Sequence, residues 1–366
     1  MNFNIAPEWE PLAQKILNGN RISPEEGVVL YEKADLGLLG ILANSVRKAK
    51  VGEFAFFNRN FHLEPTNICA YRCKFCSYVK NQGDPEAWDL SFEEMIRTVQ
   101  RQASSGATEV HITGGAHPDK DLKWYASLIR AIHEEVPALH IKAFSVVELD
   151  YMFRKSGVSI REGLSILIES GLGSIPGGGA EIFDETIRRQ LCPEKSDSAT
   201  WLKIHEEAHE AGLSSNATML YGHIESYRQR IDHLERLRTL QDKTHGFNCF
   251  IPLKFKKQNN PLGLKVTETS APEDLRNFAI SRIYLDNFDH LKAYWPMIGR
   301  EMAAISLSFG VDDLDGTIDD STKIFAMAGS GEQNPSLSTE ELSSMIKKAG
   351  RTPAERNSLY QTLRVF

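Results

Sequence analysis

Apolar and polar positions follow a helical period through the first part of the chain. Ser23 is a predicted helix cap, Pro24 takes the first helical position, and Glu26 completes a capping box. The stretch LGLLGILANSVRKAK then repeats apolar residues at helical spacing and predicts an amphipathic helix. We therefore expect residues 1–55 to form a helical segment that packs on the rest of the fold.

From residue 60 the pattern changes to short strand-like runs that alternate with helical stretches. Six strand–helix units are clear and two are weaker. This alternation predicts parallel strands with right-handed crossovers, and eight units suit an α/β fold, a TIM-type (βα)8 barrel that is complete or nearly so. An open doubly wound sheet is the competing architecture. The predicted strands are FHLEPT, TEVHITGG, LHIKAFS, GSIPGGG, SSNATMLYG, GFNCFIPLKF, LKAYW and VDDLDGT.

The barrel, with a C-terminal helical extension, is expected to occupy residues 56–366. Residues 256–272 are the longest irregular stretch. They follow the sixth predicted strand, on the side where barrel active sites lie. This stretch is therefore either a lid over the site or a plain surface loop.

Composition narrows the class of protein. The 366 residues carry a formal net charge of −7 and are 41% hydrophobic, which fits a globular protein and gives no reason to expect a nucleic-acid partner. No apolar run reaches the roughly 20 residues that span a bilayer. The start, MNFNIAPEWEP, lacks a basic flank followed by an apolar core. We expect a cytoplasmic protein without a membrane partner.

Three of the five cysteines, Cys69, Cys73 and Cys76, crowd into a C-x3-C-x2-C motif. A structural zinc site takes four protein ligands, usually in two pairs, and no second pair is present. Cys192 and Cys249 stand alone and are predicted to be buried small hydrophobes. A 4Fe–4S cluster on three thiolates would leave one iron without a protein ligand. A zinc site, or a protein that uses the cysteines only structurally, remains an alternative.

With Phe75 before the last cysteine and a strand before the motif, this loop resembles that of the radical S-adenosylmethionine (SAM) superfamily. The resemblance implies that Cys69, Cys73 and Cys76 are the catalytic cluster ligands and that the open iron binds SAM. It also implies reductive cleavage of SAM to a 5′-deoxyadenosyl radical. The electron would come from a low-potential donor such as flavodoxin or ferredoxin.

Other motifs follow the predicted strands, where a barrel places its active site. The resemblance implies that they complete the SAM site. Ordinary alternatives are a turn for the glycine pair and a first-turn helix acid for Glu181. The implied contacts are Gly114 and Gly115 near the methionine amino group, Glu181 at the ribose, Ser145 at the ribose or carboxylate, and Phe75, Tyr78, Gly222 and Glu225 around adenine.

Longer stretches, such as FHLEPTNICAYRCKFCSY and SNATMLYGHIE, resemble the aminofutalosine synthases of the futalosine route to menaquinone. In that family the adenosyl radical adds to the enol ether of 3-[(1-carboxyvinyl)oxy]benzoate. Rearrangement and decarboxylation then give 6-amino-6-deoxyfutalosine, so SAM is consumed. Cyclic dehypoxanthine futalosine synthase and the deazaflavin-cofactor synthases are the related alternatives.

Such an aromatic dicarboxylate needs cationic or hydrogen-bonding partners and an apolar wall. His62 and Glu64 share one face of the first strand, and His62 is a candidate proton carrier. Asp312, Asp313 and Asp315 are predicted to form a solvated turn. The candidate substrate ligands are Arg72, His117, Asn216, His223 and Lys254, with Tyr294 and Trp295 beside the ring.

Overall fold

The computed structural model describes residues 5–318, 323–331 and 335–366, so the first four residues of the predicted N-terminal segment lie outside it. The helices are α1 (Glu10–Leu17), α2 (Pro24–Lys33), α3 (Leu36–Val51), α4 (Phe92–Ser104), α5 (Leu122–Glu135), α6 (Val146–Ser156), α7 (Ile160–Glu169), α8 (Glu185–Leu191), α9 (Ser198–Glu210), α10 (Tyr227–Thr244), α11 (Ala271–Tyr284), α12 (Trp295–Ile298), α13 (Arg300–Ser306), α14 (Ile324–Met327) and α15 (Thr339–Lys348). The strands are β1 (Phe54–Asn58), β2 (Asn60–Leu63), β3 (Glu109–Ile112), β4 (His140–Ala143), β5 (Ser174–Ile175), β6 (Ser214–Tyr221), β7 (Phe247–Lys254), β8 (His290–Leu291), β9 (Asp313–Gly316), β10 (Thr352–Arg356) and β11 (Thr362–Val365).

Parallel strands form the curled sheet of a barrel. Strands β2 to β8 form a seven-stranded sheet in chain order, and every neighbouring pair is parallel. Strand β9 bridges the edges, because Lys292 pairs with Asp313 beyond β8 while β9 also pairs with β1. Only Arg59 separates β1 from β2. The predicted TIM-type barrel is confirmed, and the doubly wound alternative is wrong.

The N-terminal helices lie against the side of this barrel. Ser23 caps α2, and its side chain and that of Glu26 form the predicted capping box. Helix α3 packs on α11, and α2 packs on α10 and α11. Arg238 of α10 fixes the connection by donating a hydrogen bond to the Ile22 carbonyl, at 3.1 Å.

The C-terminal extension differs from the prediction, because it contains strands as well as the expected helix α15. Strand β10 pairs in parallel with β1, and β11 adds to β10 in antiparallel orientation. Strand β10 was not predicted because it contains charged residues. These residues are buried in ion pairs whose partners cannot be recognised from the sequence. Arg356 is fully buried and donates to Asp313 at 2.5 Å.

Asp312, Asp313 and Asp315, directly before β9 and within it, are also buried. The prediction that they form a solvated turn is therefore wrong. Asp312 pairs with Arg282 and lies 2.6 Å from His290 Nδ1. Asp315 accepts a hydrogen bond from Lys292 at 2.6 Å. Each carboxylate has a cation supplied by a distant element, which is how a barrel tolerates charge in its core.

Candidate active site

The cysteine loop, residues 67–80, leaves β2 at the C-terminal mouth of the barrel. Neighbouring elements fix its backbone at several points. Ala70 N–H donates to Ala116 C=O at 2.8 Å, and Lys74 N–H donates to Leu191 C=O at 2.8 Å. The loop is therefore tied both to the segment after β3 and to the end of α8.

The chemistry of the three thiols fits a bound iron–sulfur cluster. Burial raises the pKa of Cys73 to about 12 and also raises the pKa of Cys76, so both thiols stay protonated until a metal cation compensates the thiolate charge. Within the described residues no group of three His, Cys, Asp or Glu side chains is placed to hold a single metal ion. A four-iron cluster binds each thiolate to a different iron and needs no such convergence. Cys192 and Cys249 are buried, as predicted.

The glycine pair after β3 makes room for this loop. A Cβ on Gly115 would lie 2.2 Å from the Ile68 carbonyl oxygen and 3.1 Å from Cys69 Cβ, and one on Gly114 would lie 2.7 Å from the Thr66 oxygen. Only glycine permits so close an approach. The pair thus positions the first cysteine, while its predicted contact with the methionine amino group stays a prediction.

A lysine that the sequence analysis missed lies among the cysteines. Lys195 Nζ is 2.7 Å from Glu181 and 5.1 Å from the centre of the Phe75 ring. Although burial lowers the pKa of Lys195, the neighbouring Cys73 and Glu181 raise it well above its ordinary value. The positive charge of the lysine offsets part of the rise that burial causes in the pKa values of Cys73 and Cys76. It therefore favours the thiolates that a cluster requires, and only the short motif CPEK marks it in the sequence.

Glu148 is a second residue that the sequence analysis missed. Ser145 caps α6, and Glu148 completes the capping box, a motif visible in the sequence as S-V-V-E. The Glu148 carboxylate also accepts hydrogen bonds from Gly114 N–H and Thr113 Oγ1, both at 3.1 Å. Burial raises its pKa to about 7, although these hydrogen bonds favour the ionised form. Ser145 thus serves the helix cap, and Glu148 links α6 to the glycine pair.

The turn after β6 is organised by Glu225. Its carboxylate accepts hydrogen bonds from Gly222 N–H at 2.6 Å, His223 N–H at 2.9 Å and Arg230 Nε at 2.8 Å. Burial raises the pKa of Glu225, but His223 and Arg230 outweigh it and lower the pKa to about 2. The carboxylate is thus occupied by the protein, and we expect Glu225 to shape the adenine-flanking turn rather than contact adenine. Tyr78 is similar, since its hydroxyl donates to Thr66 C=O at 3.2 Å and its ring packs on Trp88.

Most predicted substrate ligands are engaged elsewhere. Lys254 donates to Asp274 at 2.7 Å and to Thr269 C=O at 2.8 Å. His117 accepts a hydrogen bond from Asp119 N–H at 3.1 Å, and burial lowers its pKa. Exposed Arg72 donates to Cys69 C=O and to Asn81 within the cysteine loop. His223 Nε2 donates to Leu220 C=O at 3.0 Å. These four are therefore weaker candidates than the sequence suggested.

Asn216 lines a cavity of about 140 Å³ inside the barrel. The cavity wall contains two ion pairs, Lys142 with Glu109 at 2.7 Å and Lys292 with Asp315 at 2.6 Å. Thr113, which also bonds Glu148, connects this cavity to the glycine pair. The apolar part of the wall comprises Pro176, Ile251, Leu253, Tyr294 and Ile324.

Two histidines face the same cavity. The rings of His62 and His111 lie 4.5 Å apart, and Tyr294 stacks on His62 at 6.0 Å. Burial lowers the pKa of His62 to about 4 and that of His111 well below its usual value, so both are neutral near pH 7. Trp295, in contrast, is buried in the core and donates to Gly316 C=O at 2.9 Å, so it is a weaker candidate than Tyr294 for flanking a ligand ring. Glu64 binds the backbone N–H of Lys323 at 3.0 Å.

Similarity to known proteins decides the family. Residues 63–237 match the model of the radical SAM superfamily, and residues 244–366 match that of the CofH/MqnC C-terminal region. The aminodeoxyfutalosine synthase of Thermus thermophilus is 42% identical over 98% of this chain and 97% of its own length. The chain belongs to the radical SAM superfamily. It is thus an enzyme of a family that uses a 4Fe–4S cluster and SAM.

Other radical SAM relatives span nearly the same length. The 5-amino-6-(D-ribitylamino)uracil–L-tyrosine 4-hydroxyphenyl transferase of Methanoculleus marisnigri is 38% identical over 98% of this chain and 99% of its own. The cyclic dehypoxanthine futalosine synthase of Streptomyces coelicolor is 35% identical over 97% and 89%. These names describe three different reactions within one group. Similarity therefore establishes a radical SAM enzyme with a small-molecule substrate.

Solved structures agree on the fold. Methylornithine synthase superimposes with a TM-score of 0.75 at 18% identity, covering 94% of this chain and 97% of its own. The FeFe-hydrogenase maturase HydG of Carboxydothermus hydrogenoformans gives 0.74 at 18% identity, covering 96% and 80%. In the part of the chain that the structure describes, no helix is both long and apolar enough to cross a bilayer.

Proposed function

We propose that the chain is an aminodeoxyfutalosine synthase. Its substrate would be 3-[(1-carboxyvinyl)oxy]benzoate, its second substrate SAM, and its product 6-amino-6-deoxyfutalosine for menaquinone synthesis. The observation that carries the proposal is the 42% identity to a synthase of this name over almost the whole chain. When bound on Cys69, Cys73 and Cys76, the cluster supplies the electron that cleaves SAM and releases the adenosyl radical.

The barrel cavity supports this substrate class. Each of its two ion pairs is neutral by itself, so the cavity wall offers hydrogen-bonding groups and carries no net charge from these four residues. The Asn216 amide and the rings of His62 and His111 face the cavity and are suited to hydrogen-bond a carboxylate. A bound dianion would favour protonation of a histidine, because an opposite charge nearby raises its pKa. Ile251, Leu253 and Tyr294 give the apolar wall that a benzene ring needs.

The chain's own residues prepare the mouth of the site. Gly115 and the backbone bonds of the cysteine loop set the position of the three thiols. Lys195 supplies a positive charge beside them. Glu181 holds Lys195 in place through their 2.7 Å ion pair. If Glu181 also binds the ribose hydroxyls, its carboxylate would do so while it remains paired with Lys195.

Direct comparison of substrates tests the proposal. The anaerobically purified enzyme, with its cluster reconstituted, is incubated with SAM and one substrate at a time. With the enol-ether benzoate, we expect a product that contains both adenine and the benzoate ring. Asn216→Ala should raise KM more than it lowers kcat, with Asn248→Ala, a change of the same residue type in the neighbouring strand, as the control. Turnover of dehypoxanthine futalosine alone would contradict the proposal.

A second candidate is the 4-hydroxyphenyl transfer named for the methanogen relatives. The 38% identity of the Methanoculleus marisnigri relative over 98% of the chain favours it, as does the match to the CofH/MqnC C-terminal region. Tyrosine with the ribitylaminouracil is therefore the third substrate combination in the same assay. A product from this combination, without one from the enol-ether benzoate, would establish the transferase.

A further inference from the structure

An exposed leucine lies beside the cysteine loop. Leu264 is 89% exposed and ends a short 3-10 turn, Leu262–Leu264. Leu262 N–H donates to the carbonyl of Lys74, the residue between Cys73 and Phe75, at 2.9 Å. Ser77 Oγ donates to Gln258 C=O at 2.6 Å. Residues 256–272, predicted to be either a lid or a surface loop, are therefore attached to the cluster-binding loop.

Three lysines lie in this segment or are bonded to it through the backbone. Lys74, Lys257 and Lys265 are exposed, and within the described residues none of them forms an ion pair or a side-chain hydrogen bond. The segment is compact, since a Cβ on Gly263 would lie 1.7 Å from the Lys257 carbonyl oxygen. The whole chain carries a net charge of −7, so a local excess of positive charge is not a general property of its surface. We call Leu264 with Lys74, Lys257 and Lys265 the lysine surface.

We propose that the lysine surface docks an acidic electron-carrier protein, of the flavodoxin or ferredoxin class, which reduces the enzyme. The inference rests on the proposed radical chemistry, because cleavage of SAM consumes one electron that must enter from outside. In this step the carrier loses one electron and the enzyme gains it, and no atom is transferred. The turn is bonded to the loop that bears Cys73 and Cys76, so a docked carrier lies against the loop that holds those thiols.

The surface has the composition of a transient protein contact. Exposed charges at an interface steer the encounter and make it dependent on salt, and a small apolar centre supplies the short-range contact. Electron-transfer complexes are typically small, below about 1,200 Å². A single exposed leucine with a rim of lysines matches that class better than it matches an obligate interface.

The test separates docking from chemistry. Full-length enzyme with its cluster is compared with the double variant Lys257→Glu/Lys265→Glu. The matched control is Lys347→Glu/Lys348→Glu, the same charge change on exposed lysines at the end of α15. Purified flavodoxin and purified ferredoxin are used in separate arms. Three quantities are measured: the dissociation constant at several salt concentrations, the rate at which the reduced carrier bleaches cluster absorbance, and SAM cleavage driven by dithionite.

We expect the test variant to lose about tenfold to a hundredfold in affinity and bleaching rate at low salt, with a weaker salt dependence. Dithionite-driven cleavage should match the wild type, and the control variant should bind like the wild type. Leu264→Ser should weaken binding without changing its salt dependence. A response to one carrier only identifies which of the two the surface accepts.

Three results would overturn the docking proposal. These are unchanged carrier binding in the test variant, an equal loss in the control variant, or wild-type binding to DNA or anionic vesicles but to neither carrier. Failure of the synthase proposal has a different signature. In that case the carrier reduces the wild type and Lys257→Glu/Lys265→Glu blocks reduction, yet no adenosylated product forms from the enol-ether benzoate.

Discussion

Substitution of Gly115 by alanine tests whether the glycine pair positions the cysteine loop. The new methyl group would lie 2.2 Å from the Ile68 carbonyl oxygen and 2.7 Å from its carbonyl carbon, where ordinary contacts begin at 3.4 Å. These neighbours are backbone atoms directly before Cys69, so they must move by more than an ångström. Overpacking of this kind costs about 1–3 kcal/mol, partly offset by about 0.4–1 kcal/mol from the stiffer unfolded chain.

The assay measures stability and iron separately. We expect Gly115→Ala to lower the free energy of unfolding of the metal-free protein by about 1–2 kcal/mol in urea. We also expect its iron content after anaerobic reconstitution to fall far more than this modest loss of stability accounts for, because Cys69 is displaced. Gly331→Ala is the matched control, since a Cβ there meets no atom within 4 Å. Full iron content and wild-type activity in Gly115→Ala would refute the reasoning.

Three further predictions concern a ligand, a core ion pair and pH. Cys73→Ala should abolish iron retention and turnover while circular dichroism shows an intact barrel; activity in this variant would contradict the ligand assignment. Asp313→Asn should cost about 3–5 kcal/mol in urea unfolding, because Arg356 is left buried and unpaired, and an unchanged midpoint would refute that role. The pKa of Glu225 falls from 4.5 to about 2 on folding, so the carboxylate stabilises the fold above pH 4.5 by on the order of 3 kcal/mol, and this stability is lost as the pH falls towards 2. Glu225→Gln should therefore be less stable than the wild type at pH 6, and the difference should fall to about a quarter of that value at pH 2.5; a pH-independent difference would count against this linkage.

Local pattern was enough to predict the barrel. Each of the eight predicted strand segments overlaps one of the strands β2 to β9, because alternating buried strands and amphipathic helices leave a periodic pattern in the sequence. The cap at Ser23 was predicted for the same reason, since a capping box involves residues three positions apart. The cluster-binding cysteines were likewise recognisable, because all three lie within eight consecutive residues.

Long-range pairing is what sequence pattern could not show. Asp313 and Arg356 read as surface charges until the fold places β9 and β10 on either side of β1. Lys254 was a reasonable carboxylate ligand until Asp274, 20 residues later, was seen to bind it. Lys195 was missed because its importance comes from lying near Cys73, more than a hundred positions earlier in the chain. These positions depend on tertiary contacts, and no local period encodes them.

The most direct test of the account is to follow the adenosyl carbons. SAM labelled with ¹³C in its ribose is given to the reduced enzyme together with 3-[(1-carboxyvinyl)oxy]benzoate. The nucleoside products are then separated, and their masses are measured by mass spectrometry. The account predicts that the label appears in 6-amino-6-deoxyfutalosine, with one methionine released for each product molecule. Label found only in free 5′-deoxyadenosine, whatever the benzoate concentration, would contradict it.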